Sequence, residues 1–292
     1  MDRDSRTRDA FRTLSCALVL LALDSGAAFP GAARGAVRPA PPAPKGPAPE
    51  APPPDLQQIL AEAQRVQEAD VAAWSRYRFS RSAEREDLDD AGEVDGREVL
   101  EFMLTPNGDG FDEELVRLDG REPEPAERER HRRAGSFTKH YHTLIEGAGG
   151  QEIEGGYSLS LLLHMSSYRY AGRETRGGVD CYRLDFSPGE TRPPGSGVAW
   201  KVASVMRGSL WITVAGYHLA WAEAETTRRV PIGLLLAKVR EVRVSLESGP
   251  VGDGVWLPRR IEMLTRARVL IRSIRRRNLY TYSDYSRAVP PA

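Results

Sequence analysis

The hydrophobic pattern of the chain changes period near residue 74. Before that point Leu56, Ile59, Leu60, Ala63, Val66 and Trp74 recur at steps of three and four, with Asp70 the polar member of the same row. Residues so spaced share one face of a helix, which predicts a single amphipathic helix over 55–71. Asp55 follows Pro52-Pro53-Pro54 and is placed to cap that helix through its carboxylate.

Beyond it the period is two. Residues 74–82 and 97–106 read as strands, the second with Leu100, Phe102 and Leu104 on one face. Asn107-Gly108-Asp109-Gly110 supplies a hairpin turn, and 111–118 returns from it. Residues 121–135, almost all charged or proline, predict a solvated excursion, while Leu159–Met165 fits a buried helix or a strand equally well.

From Ser167 onward alternation is sustained. Tyr182, Leu184 and Phe186 alternate with Arg183 and Asp185; Leu210, Ile212 and Val214 with Trp211 and Thr213; Val242, Val244 and Leu246 with Arg243 and Ser245. Half-buried antiparallel strands produce this pattern. With the glycine- and proline-rich turns between them, it predicts about nine to eleven meandering strands with one face on the helix. Twist accumulates across so many strands, so the sheet must curl. The fold class is mainly β (α+β): a curved antiparallel sheet, or half-open β-barrel, wrapped on a helix, with a concave face that one helix does not fill.

Composition narrows the folded part. Arg3, Arg6, Arg8 and Arg12, the uncharged run Leu14–Leu23 and then Ser25-Gly26-Ala27-Ala28 follow the order of a signal peptide, assigned to residues 1–28. The apolar run is too short to cross a bilayer as a helix, so the mature chain is expected to have no transmembrane span and to be exported, in a bacterium to the periplasm. Residues 29–54, with ten prolines, form a Pro/Ala-rich linker, leaving 55–292 as the domain. Cys16 would leave with the signal, so Cys181 stands alone and an internal disulfide is excluded.

Lysine plus arginine and aspartate plus glutamate balance at 41 each. No net field recruits nucleic acid, which is not an expected partner. The basic run Arg266, Arg268, Arg272, Arg275, Arg276, Arg277 is read either as contact with an anionic surface or as a charged strand edge guarded against strand addition.

Four segments resemble a known family. They are Tyr168-Arg169-Tyr170-Ala171-Gly172, then Gly178 to Pro188 (GVDCYRLDFSP), then Met206 to Ile212 (MRGSLWI), and Asp253-Gly254-Val255-Trp256-Leu257-Pro258, with Tyr282-Ser283-Asp284-Tyr285-Ser286 closing the chain. Together they look like the bacterial outer-membrane lipoprotein-sorting proteins of the LolA/LolB-like superfamily. The resemblance covers roughly 55–288. It implies a strongly curved antiparallel sheet around helices, and in some members an acyl chain in the hollow. It implies no catalytic signature.

His140 and His142 lie two apart in Lys139-His140-Tyr141-His142 and would share a face if that segment is a strand, yet no further ligand sits at useful spacing, so no metal or cofactor is expected. Gly195-Ser196-Gly197 lacks the spacing of a nucleophile elbow, and no phosphate-cradling glycine motif is present. His164 and His218 could meet a serine only through the fold. The chain is therefore read as a non-catalytic periplasmic protein holding a lipid or acylated protein chain. Tyr168, Tyr170, Tyr182, Trp211, Trp221 and Trp256 are the candidate lining. The alternative is an envelope interaction or stress-sensor module that engages a protein partner without lipid cargo.

Overall fold

In the computed structural model the described residues are 55–108, 110–134, 137–138, 166–190, 198–232, 237–270 and 272–288. Residues 1–54, expected to be signal peptide and linker, and Leu159–Met165, His140, His142, His164 and Ser196 lie outside them.

Helix α1 spans Leu56–Ala73, and Asp55 caps it as the sequence predicts, its carboxylate accepting from the Gln57 N–H at 2.9 Å. The stripe Ile59, Ala63, Val66, Asp70, Ala73 is buried. The helix runs slightly beyond its expected end, and a 3-10 turn at Trp74–Arg76 hands the chain to the sheet, so Trp74 is a corner residue and not the start of a strand.

Eleven strands follow: β1 Tyr77–Leu88, β2 Val94–Pro106, β3 Phe111–Leu118, β4 Ser166–Arg176, β5 Val179–Pro188, β6 Met206–Thr213, β7 Leu219–Thr226, β8 Val230–Ile232, β9 Ala237–Gly252, β10 Val255–Val269 and β11 Arg272–Arg287. Among the described residues two further helices interrupt them, α2 (Pro125–Ala134) and α3 (Val198–Ala203). All pairing is antiparallel, in the order β3-β2-β1-β11-β10-β9-β7-β6-β5-β4, with β8 attached to β9. One long-range pairing joins the two ends of the domain, β1 against β11, with Tyr77 opposite Arg287. The path ends at β3 and β4, which leaves a seam, so the sheet is open.

Curvature follows from what α1 touches. Ile59 and Ala63 pack with residues of β5, β6, β7, β9 and β10, while Ala73 and Trp74 pack with β1, β2, β3, β10 and β11. Ten strands laid flat at about 4.8 Å spacing would be about 43 Å wide, and one helix of about 10 Å diameter cannot meet both wings of such a sheet. The sheet therefore wraps the helix, as a half-open barrel.

Residues 121–133 are largely exposed, as a solvated excursion implies, but Pro125–Ala134 is a helix where no element was expected. Pro125 starts α2, and Glu127 takes two hydrogen bonds from Arg121 (2.8 and 2.7 Å) and one from the Glu124 N–H (2.8 Å). Those contacts, Arg121 foremost, hold the Glu127 carboxyl down to about 2. Arg132 and Arg133 reach back to Glu129, so charges that build no core still support a helix through pairs three and four residues apart.

The basic run is also corrected. β10 and β11 lie in the middle of the sheet, so its arginines guard no edge. Arg276 bonds Asp87 at 2.7 Å, Arg277 bonds Glu86 at 2.6 Å, and Arg266 sits 3.0 Å from Glu241. Cross-strand pairs of this kind recur over the convex face, as with Arg169–Asp185, Arg176–Glu223 and Arg207–Glu225. Each contributes at most about 1 kcal/mol, but opposite charges facing across a ladder favour this register over slipped ones.

Candidate functional site

The concave face divides into an apolar wing and a polar band. In the apolar wing Leu184, Phe186, Leu210, Ile212, Leu219, Val242 and Met263 surround Ile59 and Ala63 of α1. Around this core lie apolar side chains that keep part of their surface exposed, among them Leu56, Leu60, Ala222, Ala224, Val244 and Leu246. Ala222 faces Leu246 and Ala224 faces Val244 across the β7–β9 ladder, so small side chains stand opposite large ones along that part of the lining.

The polar band lies next to it. Register places Val244, Met263, Asn278, Arg85 and Glu98 in one row across five strands, and Val242, Thr265, Arg276 and Asp87 in the next. Asn278, Thr265 and Arg85 are buried, at 1%, 2% and 8% exposure. Burial, and then Arg276 alongside, press the Arg85 guanidinium below its ordinary value, while Asp87 at 3.2 Å and Glu98 oppose the shift. Four residues earlier on β1 and on the same face, Arg81 sits over the rings of Tyr280, Phe102 and Phe137 at 5.0, 5.6 and 5.6 Å. Its Nε and Nη1 are buried without acceptors, so ring faces supply much of what holds this cation.

The six residues predicted to line one pocket fall into two groups. Tyr168, Tyr170 and Tyr182 pack against the apolar wing, with Tyr182 stacked on Tyr217 at 6.2 Å and edge-on to Tyr170 at 6.3 Å. Trp211 instead belongs to a separate cluster with Cys181 and Ala220, joined by Trp221 and Trp256. Leu210 and Ile212 pack with α1, so Trp211 between them points to the convex face, and Trp221, its cross-strand partner, points the same way. There the Arg176 guanidinium lies 4.1 Å from the Trp211 ring, and the Trp211 indole N–H donates to Glu174.

Trp256 stands at the rim, where the β9–β10 and β6–β7 turns meet the end of α1. Its ring stacks on His218 at 5.5 Å and its backbone N–H donates to Asp70 Oδ1 at 3.1 Å. His218 Nδ1 is 2.7 Å from Asp70 Oδ2. The periodicity of α1 marked Asp70 as the polar member of a buried stripe, and that was the available signal for this junction. An aspartate-oriented histidine is part of a hydrolytic triad, but the hydroxyl bonded to this loop, Thr213 Oγ1, donates to the Ala215 carbonyl and accepts the His218 backbone N–H. Among the described residues no group of three or more His, Cys, Asp or Glu side chains could hold a metal ion.

The far end of β9 and β10 carries a separate site, with Arg266, Glu241 and Arg275 on the side of the sheet opposite Val242 and Thr265. Arg229, Arg240, Arg266 and Arg275, with Glu241, Ser273, Ala267 and Ile274, line a concavity of about 240 Å³. These arginines come from four separate stretches of sequence and are brought together by the β9–β10–β11 register.

The fold and this site define a half-open antiparallel barrel with a partly covered apolar interior and buried cations beside it. No family model and no curated protein matches the chain. Among solved structures it is similar to a LolA superfamily protein from Nitrosomonas europaea, at 13% identity over 80% of this chain and 94% of that one, with a TM-score of 0.31. It is likewise similar to a putative outer membrane lipoprotein-sorting protein domain from Vibrio parahaemolyticus (13%, 81% and 94%, TM-score 0.36) and to Pseudomonas aeruginosa MucA/MucB (10%, 80% and 99%, TM-score 0.25). The likeness is to LolA-like proteins, as the four segments implied. At these TM-scores nothing about ligand or partner follows from it, and the architecture rests on the chain's own strand pairing.

Proposed function

We propose that this chain is a non-catalytic, exported binding protein that holds the acyl chain of a lipid or lipoprotein against the apolar wing of its concave face. One observation carries the reading: the core around α1 is bordered by apolar side chains that the helix leaves partly uncovered, Tyr168, Tyr170, Tyr182, Val244 and Leu246 among them. An 18-residue helix is about 27 Å long, while the 16 residues of β9 extend about 50 Å, so α1 matches little more than half the length of that strand.

Magnitudes select the ligand class. Burying a methylene contributes about 0.8 kcal/mol and association costs about 4 to 15 kcal/mol, so break-even takes about 5 to 19 buried methylenes, which selects long acyl chains. Tyr168, Tyr170 and Tyr182 would contact the chain, Trp256 would stand at the rim, and Trp211 and Trp221 would brace the sheet from behind. Lipid mass spectrometry on the purified protein, together with titration of a fluorescent long-chain fatty acid, tests this. A protein that carries no lipid and fails to bind the probe refutes it.

The alternative, an envelope module engaging a protein partner, is favoured by one feature. β4 ends the path of paired strands among the described residues, and an edge of 11 residues is a template for strand addition. In-cell crosslinking from β4 that yields one reproducible protein, with no lipid on the purified chain, would replace the first reading by this one.

A further inference from the structure

The arginine-lined concavity has a composition that the acyl-binding reading does not require. Four guanidiniums and a single carboxylate, Glu241, share about 240 Å³. Arg266 lies 3.0 Å from Glu241, which also has Arg243 at 2.7 Å, so the one acid present is already shared between two cations. Arg275 is oriented by the carbonyl oxygens of Asp89 and Asp90, with the exposed Asp90 carboxylate a further 3.9 Å contact. Arg229 and Arg240 are exposed and make no ion pair among the described residues. The Nε of Arg266 is buried without an acceptor.

Elsewhere on the sheet the arginines of the cross-strand pairs each have an acid within reach; here arginines converge and outnumber the acids. Like charges brought into one concavity repel, and an arrangement that holds them together is offset most directly by a bound anion. Guanidiniums offer paired N–H groups that match the oxygens of a phosphate, and several around one concavity can grip a phosphoryl group from different sides. Ser273 adds a hydroxyl at the wall, while Ala267 and Ile274 give the floor an apolar side on which a glycerol-sized substituent can rest.

We infer that this concavity is a binding site for a phosphate ester, with Arg229, Arg240, Arg266 and Arg275 as its ligating residues. The site stands apart from the acyl-binding reading and does not depend on it. A phosphate ester reaches an exported protein either as a free small molecule or as the head of a phospholipid, and chemistry of the same kind recognises both.

Calorimetric titration of the full chain with glycerol 3-phosphate and, separately, with dihexanoyl phosphatidylglycerol below its micellar concentration tests the site. The expected result is 1:1 binding that weakens at least tenfold in the double variant Arg229→Gln/Arg240→Gln and falls steeply as salt is raised. Both side chains are exposed, so the variant should keep the parent's thermal midpoint, and that is measured alongside. Tighter binding of the phospholipid than of glycerol 3-phosphate assigns the site to a lipid head; equal or weaker binding assigns it to a soluble phosphate ester. Absence of binding by either compound at low salt, or binding that the double variant leaves unchanged, overturns the proposal. Fatty-acid binding measured on the same variant keeps the two readings apart, because loss of phosphate-ester binding with fatty-acid binding retained is a result about this concavity alone.

Discussion

Asp70 on α1 and His218 in the β6–β7 turn meet through a 2.7 Å contact between Oδ2 and Nδ1, while Asp70 Oδ1 accepts the backbone N–H of Trp256. One buried carboxylate thus ties the only long helix among the described residues to two turns of the sheet. The apolar contacts of α1 let it slide; these two bonds set where along the trough it stops.

Replacing Asp70 with alanine leaves the Trp256 N–H and the His218 ring without a partner in a buried place, at a cost of about 2 to 4 kcal/mol. Asparagine keeps one acceptor and should cost roughly half as much. Urea unfolding of the two variants checks the order, and an alanine variant within about 0.5 kcal/mol of the parent would show that the junction holds nothing.

Gly208 on β6 lies against β7 so closely that a Cβ there would fall 1.8 Å from the Glu223 carbonyl oxygen. The obstacle is backbone within a paired ladder, which cannot turn aside as a side chain would. Gly208→Ala should therefore lower stability by about 2 kcal/mol or more, visible as a drop in thermal midpoint. A midpoint equal to the parent's would mean that β6 and β7 sit further apart than described.

Much of this architecture was legible because it is local. The α1 stripe, its Asp55 cap and the alternation in β5, β6 and β9 each follow from neighbouring residues, and so does the need for a long sheet to curl. The β1–β11 pairing was not legible, since it joins opposite ends of the domain with no signal in either strand. That pairing is what moves the arginines of β10 and β11 from a supposed edge to the centre. At the site, parity already separated Trp211 from Leu210 and Ile212, so its place behind the sheet could have been read from alternation alone; that of Trp221 could not, because a register shift separates it from Leu219. The meeting of Arg229, Arg240, Arg266 and Arg275 could not, because it depends on register and on the path into β8.

Cys181 is fully buried in the convex-face cluster, and burial, reinforced by Asp180 and Glu174, pushes its thiol up to about 11. At pH 8 only about one molecule in a thousand carries the reactive thiolate, so a Cys16→Ser chain should resist a thiol reagent until denaturant is added. In the unfolded chain the thiol ionises near its ordinary value of 9.0. Between pH 9 and about 11 the folded state therefore holds the extra proton, and stability falls as pH rises through that window. Rapid labelling of the native protein at pH 8 would contradict the burial.

The two faces of β5 and β6 make opposite demands on a ligand-binding experiment. Tyr182 and Tyr170 lie on the α1 side, beside the partly covered apolar wing, whereas Trp211 lies behind the sheet, under Arg176 and bonded to Glu174. Trp211→Ala empties a packed position and removes a cation–π contact, which should cost about 3 kcal/mol or more of stability. Its affinity for a fluorescent long-chain fatty acid should nevertheless stay within about twofold of the parent, measured well below the unfolding transition, because about 1.4 kcal/mol would be needed for a tenfold change. Tyr182→Ala, at a side chain already half-buried, should show the reverse: a modest stability loss and binding weakened by about fivefold, or roughly 1 kcal/mol. Binding that fell with Trp211 and ignored Tyr182 would put the acyl chain on the convex face, and the helix-side trough would no longer be its site.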